Sequence, residues 1–104
     1  MKLDYSVRNT IKAQIKEIFL GEKEIDKVML FGSFLSSEDP NDIDIAIFQS
    51  SQEDYLTLSL KYRKLLRKII TPIPVDLVPI ISGRNNDFTL YELKDGEILF
   101  ERGR

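Results

Sequence analysis

The chain has 104 residues, 42% of them hydrophobic and 31% charged, with 15 basic against 17 acidic side chains and a net charge of −2. This describes one small globular domain spanning residues 1–104, large enough for a single two-layer core, and its slight acidity argues against a protein that coats DNA or RNA. There is no Cys and no His, which excludes thiol catalysis, disulfides, Ser-His-Asp triads and the usual zinc sites. Catalysis must then draw on Asp/Glu, Lys/Arg, Ser/Thr or Tyr, and the metal such groups hold best is a hard cation such as Mg²⁺ or Mn²⁺. No apolar run approaches the ~20 residues of a membrane span. The opening Met1-Lys2-Leu3-Asp4-Tyr5 carries an acid too early for a signal peptide, so a soluble cytoplasmic protein is expected.

In chain order, Val7, Ile11, Ile15, Ile18 and Phe19 fall at helical spacing, with Ser6 as a cap and Gly21 after the end. Residues 25–31 (IDKVMLF) read as a buried strand that Gly32-Ser33 ends. Residues 34–41, with two serines and Asp-Pro-Asn, have the chemistry of a loop. Ile43, Ile45 and Ile47 then interleave with Asp42, Asp44 and Ala46, which predicts a strand with one apolar face. Ser50 or Ser51 is placed to cap a second helix whose stripe is Tyr55, Leu58, Tyr62, Leu65 or Leu66, and Ile69. Residues 73–80 predict another strand, put at a sheet edge by Pro74 and Pro79. A loop over 82–86, a short helix around Leu90, Tyr91 and Leu93, and a last strand over 97–100 complete the chain. The order α-β-β-α-β-(α)-β predicts an α/β (α+β) fold, a small mixed sheet with helices packed on it.

The chemistry concentrates in three places. On a strand, residues i and i+2 share a face, so Asp42 and Asp44 sit about 7 Å apart with Ile43 and Ile45 turned to the core. Asp76 lies one helix later, between Val75 and Leu77, and its carboxylate also leaves the apolar face. If the two strands are neighbours, three carboxylates converge; their mutual repulsion is what a divalent cation relieves. Gly32-Ser33 is the complement, a glycine that lets backbone N–H groups approach an anion and a hydroxyl that adds a donor. Carboxylates on one side and phosphate oxygens on the other make a cage for a metal–triphosphate, with room for two Mg²⁺ ions and Mn²⁺ as a substitute. An EF-hand over residues 39–44 is excluded, because the central Gly and distal Glu are missing.

Gly-Ser, a short loop, Asp-x-Asp opening a strand and a lone Asp on a later strand resemble the DNA polymerase β-like nucleotidyltransferase superfamily. The short chain and its element order look like the minimal nucleotidyltransferases (MNT) of prokaryotes. The resemblance spans roughly residues 5–102 and implies the polymerase β-like nucleotidyltransferase fold. It implies that Gly32 and Ser33 are nucleotide-binding, holding the triphosphate of an NTP such as ATP. It further implies that Asp42 and Asp44 bind Mg²⁺, and that Asp76 completes a catalytic and metal-binding set and helps deprotonate an acceptor hydroxyl. Many MNT proteins accompany a helical HEPN-domain protein as its antitoxin, so the implied partner is a HEPN protein and the implied reaction AMP transfer to it. Two features depart from the pattern: only eight residues separate Ser33 from Asp42, and Leu35-Ser36-Ser37 stands where relatives carry Arg-Gly.

A competing reading is a non-catalytic antitoxin that neutralises a helical HEPN partner by contact alone. A polynucleotide-binding accessory fits the charge balance poorly, and whether copies of the chain pair with each other is left open. Lys61, Arg63, Lys64, Arg67 and Lys68 read as a solvated helix face ahead of an RNA- or partner-binding one. Tyr55 and Tyr62 fall on the core stripe. Phe34 either stacks on a base or covers the core.

Overall fold

The computed structural model describes residues 2–69, 71–83 and 93–103. Its first element, helix α1 (Tyr5–Leu20), begins where Asp4 accepts a hydrogen bond from the Val7 N–H at 2.8 Å. Asp4, not Ser6, is therefore the cap, because only a residue outside the helix can turn its side chain back onto the first free N–H groups. Ile11, Ile15 and Phe19 are buried, whereas Val7 on the first turn is exposed.

Strand β1 (Ile25–Phe31) follows, then a single helical turn α2 (Ser33–Ser36) inside what sequence chemistry reads as loop. That turn buries Phe34, which closes the core from one end and is not free to stack on a base. Strand β2 (Ile43–Gln49) matches the alternating stretch. Helix α3 (Tyr55–Leu66) is capped by Asp54, whose carboxylate accepts from the Thr57 N–H at 2.8 Å, rather than by Ser50 or Ser51. Tyr62 is fully buried, but Tyr55 is exposed and lies off the core stripe. Strand β3 (Val75–Ile81) starts two residues later than the apolar pattern predicts, and strand β4 (Glu97–Glu101) ends the sheet. Of the expected short helix, Leu90 and Tyr91 lie outside the described residues, as do residues 84–86 of the expected loop; Leu93 is helical and buried.

The strands lie in the order β3-β2-β1-β4. β1 pairs antiparallel with β2 and β4, and β2 pairs parallel with β3, so the sheet is mixed. β3 is at the edge, where Pro79 removes a ladder donor at little cost. An extra residue in β1, between the pairs Ile25–Gln49 and Lys27–Phe48, brings Ile25, Val28 and Leu30 onto one face despite their uneven spacing. That face, with Ile43, Ile45, Ile47 and Leu77, packs against the buried stripes of α1 and α3 in the main core. Phe19 and Tyr62 meet there edge to face, ring centres 5.8 Å apart. Among the described residues, the other face carries a smaller cluster of Met29, Ala46, Phe48 and Leu93, with Phe31 and Ile80 packed against it.

Tyr62 reaches the rim of the core with its hydroxyl on Glu24 (3.1 Å), which also accepts from Lys61 (2.6 Å). Burial works to raise the Glu24 carboxyl, but hydrogen bonds from Lys61, its own backbone and Tyr62 outweigh it, and the pKa ends below 4.5. Desolvation first, then the Glu24 charge, push the Tyr62 hydroxyl far up. No helix among the described residues is long and apolar enough to cross a membrane.

Candidate functional site

The site expected from the sequence lies along one end of the sheet. β1 finishes at Phe31, whose strand partner is Asp44; Asp44 in turn is the parallel partner of Asp76. Gly32, Asp44 and Asp76 therefore form a row across three adjacent strands. The row combines a tertiary feature, the parallel pairing of two strands joined by one helix, with a local one, the alternation that turns Ile43 and Ile45 into the core and Asp44 away from it.

Gly32 has φ +79° and ψ −157°, backbone that is essentially reserved for glycine. A side chain there would also run into the Asp44 carboxylate, whose Cγ is 3.3 Å from where a Cβ would stand and whose Oδ2 is closer still. The turn that follows is tied by Leu35 N–H to the Gly32 carbonyl (3.2 Å) and Ser37 N–H to the Ser33 carbonyl (2.9 Å). Gly32 is exposed and Ser33 half-buried, so this turn and the Asp44 carboxylate share an open rim. Asp42, half-buried, stands one residue before β2, where the Ile43 N–H donates to the Pro74 carbonyl at 2.9 Å and locks the two strand entries together.

Asp76 behaves differently. Its side chain is 60% exposed and its Oδ1 accepts from Arg63 Nη2 at 2.9 Å and from the Leu77 N–H at 3.0 Å. The fold thus brings Asp44 and Asp76 to paired positions and Gly32 beside Asp44, but among the described residues no three acidic side chains are gathered tightly enough to hold a metal ion. The donor chemistry still fits Mg²⁺. Asp42 and Asp44 supply hard carboxylate oxygens, Mg²⁺ takes one or two of these plus substrate phosphates, and the missing side chain at Gly32 is what lets the Asp44 carboxylate lie against the turn that follows β1.

Two residues of this region escaped the sequence reading. Arg63, assigned there to a solvated face, holds Asp76. Arg8 of α1 donates to the carbonyls of Leu3 (2.9 Å), Ser37 (2.6 Å) and Phe34, and lies over the Phe34 ring, fastening both ends of α2. Its partners are backbone atoms up to 29 residues away, which no side-chain pattern announces.

Comparison with curated proteins by sequence finds no match. Solved structures do resemble the fold. A chain of the MntA–HepT toxin–antitoxin complex aligns over 90% of this chain and 73% of its own with a TM-score of 0.64 at 20% identity. A tri-AMPylated Shewanella oneidensis HEPN toxin in complex with MNT antitoxin gives 91%, 73%, 0.66 and 20%, and a toxin–antitoxin structure with AMP-PNP gives 88%, 73%, 0.61 and 22%. The family model "Polymerase beta, Nucleotidyltransferase" matches residues 13–104, a span that holds every strand, the Gly32 turn and all three acids, and the chain belongs to the polymerase β nucleotidyltransferase family.

Proposed function

We propose that the protein transfers a nucleoside monophosphate, AMP, from an NTP to a hydroxyl on a partner protein, as the antitoxin of a MNT/HEPN pair. The observation that carries this reading is the row Gly32–Asp44–Asp76, with glycine backbone pressed against one carboxylate and a second carboxylate on the next strand. Gly32 N–H and Ser33 hydroxyl hold the triphosphate. Asp42, Asp44 and Asp76 would hold Mg²⁺, which when bound would supply charge neutralisation at the phosphates. The acceptor oxygen attacks the α-phosphorus, the bond to the β-phosphate oxygen breaks, pyrophosphate leaves, and the hydroxyl proton passes to Asp76. The family membership, the likeness to chains of the MntA–HepT complex and of a HEPN toxin–MNT antitoxin complex, and the likeness to a toxin–antitoxin structure with AMP-PNP support this assignment.

The test is incubation with each of the four NTPs, Mg²⁺ and a helical HEPN protein encoded beside it, followed by mass spectrometry of both proteins. A gain of one or more AMP masses on the partner is expected. A partner of unchanged mass with every NTP rejects the transfer. The Arg63–Asp76 ion pair favours one second reading, in which the third acid is permanently spent and the protein neutralises its partner by contact alone. An unmodified but silenced partner is the result that reading requires.

A further inference from the structure

Beyond Asp76, between the C-terminal half of α3 and the entry to β3, lies a cleft of about 360 Å³. Leu66, Ile73, Pro74 and Val75 wall it, and Arg63 and Arg67 stand over it. Its charge is one-sided. Residues 55–75 contain five cations, Lys61, Arg63, Lys64, Arg67 and Lys68, and no acid. Lys61 is committed to Glu22 and Glu24 (3.2 and 2.6 Å) and Arg63 to Asp76, whereas Arg67 has no acidic partner among the described residues. Exposed Leu56 and Leu60 precede these cations on the same helix.

The cleft also has a position in the reaction. From β1 outward the order is Gly32, Asp44, Asp76, then Arg63 and the cleft. With triphosphate at Gly32-Ser33, in-line displacement requires the attacking hydroxyl to arrive from the far side of the acids, and Arg63, which lines the cleft, joins it to Asp76, the last acid of the row. We propose that this cleft docks the acceptor protein through a segment bearing a carboxylate flanked by aliphatic side chains, and that this carboxylate takes Arg63 away from Asp76. The aliphatic walls fit a protein segment better than a polynucleotide, whose backbone would leave them uncovered. The Arg63–Asp76 pair is half-exposed on both sides, and such pairs are weakly held and readily exchanged. Asp76 is then covered while the acceptor is absent and released when it docks. The inference rests on Asp76 being the third acid of the proposed transfer site.

The test needs no turnover. The protein is titrated with a short helical peptide of leucine and glutamate, its leucine–lysine counterpart and polyadenylate, read by fluorescence anisotropy, and Mn²⁺ affinity is measured by calorimetry with and without the first peptide. The leucine–glutamate peptide should bind, and Arg67→Glu should weaken it at least ~10-fold while Arg67→Gln, a milder change that guards against misfolding, weakens it less. The peptide should tighten Mn²⁺ binding roughly two- to fivefold, the worth of an exposed pair. Arg63→Gln should show that tighter Mn²⁺ binding without peptide and gain nothing from it. Absent peptide binding, binding indifferent to Arg67→Glu, or tighter binding of polyadenylate each overturns the docking assignment. Unchanged Mn²⁺ affinity in Arg63→Gln overturns the exchange at Asp76. Peptide binding that depends on Arg67 in a protein that binds no Mn²⁺ upholds the docking and instead defeats the metal site of the proposed transfer.

Discussion

The two ends of the acid row are held by different means. At the β1–β2 end, Asp44 lies against a glycine whose backbone angles and whose lack of a side chain are both required, in the middle of a sheet paired on either side. At the β3 end, Asp76 sits on an edge strand, mostly in solvent, with its carboxylate held by one arginine. Central-strand geometry fixed by covalent and steric limits does not relax, whereas an exposed ion pair is worth about 0–1 kcal/mol and yields to a competing charge. One end is built to be constant and the other to be changed.

Gly32→Ala attacks the constant end and should have the largest effect. A non-glycine residue in that backbone region costs roughly 1–3 kcal/mol, and the new methyl displaces the Asp44 carboxylate. Thermal melts should show the loss of stability, and AMP transfer should fall at least ~100-fold, beyond the loss typical of a disturbed outer-shell metal partner. Normal transfer would mean that the Gly32–Asp44 contact has no part in the chemistry.

Asp44→Asn and Asp76→Asn separate the two ends directly. Both should abolish transfer. Asp44→Asn removes a carboxylate of the proposed metal set, so it should erase the stabilisation by Mg²⁺ plus NTP, roughly 2.7 kcal/mol at a hundredfold excess over Kd. Asp76→Asn, on the exposed edge, should change stability by no more than about 0.5 kcal/mol and leave partner binding intact. An Asp76→Asn protein that transfers at the normal rate would make Asp76 a surface residue. Ser33→Ala should follow with a drop in kcat/KM of at least ~10-fold, since a hydrogen bond to a charged group is worth about 1.5–3 kcal/mol; unchanged kinetics with all four NTPs would remove Ser33 from the site.

The smallest effect is expected far from the row. Glu24 has its carboxyl lowered below 4.5 in the folded protein, with burial opposing and the bonds from Lys61, its own backbone and Tyr62 prevailing. Its contribution is therefore complete above the unfolded value and lost as the pH falls through the lowered one. Glu24→Gln should cost about 1 kcal/mol or less at neutral pH and flatten the fall in stability below pH ~4.5, as read by melts across pH. An unaltered acid limb would show that Glu24 is equally protonated in both states.

Strand register was legible because alternation is a local signal. Ile43, Ile45 and Ile47 against Asp44 and Ala46 fix which side chains meet the helices, and one helix between two strands of a mixed sheet favours their parallel pairing. Caps are ambiguous for a local reason as well: Asp4 and Asp54 stand just before their helices, but the serines nearby carry the same preference, and only the path of the entering chain selects among them. The turn at Ser33–Ser36 has loop composition and is helical because Arg8 collects its carbonyls and Phe34 is drawn into the core.

The acids themselves, the glycine before them and the family pattern they make are properties of the sequence alone, since residue type and spacing along one strand suffice to state them. That Asp44 lies opposite Asp76, that Gly32 lies under Asp44, and that Arg63 covers Asp76 were decided by tertiary structure. Each joins residues at least a dozen positions apart, and such a contact depends on how α3 packs on the sheet and how the strands order themselves, which no local preference encodes.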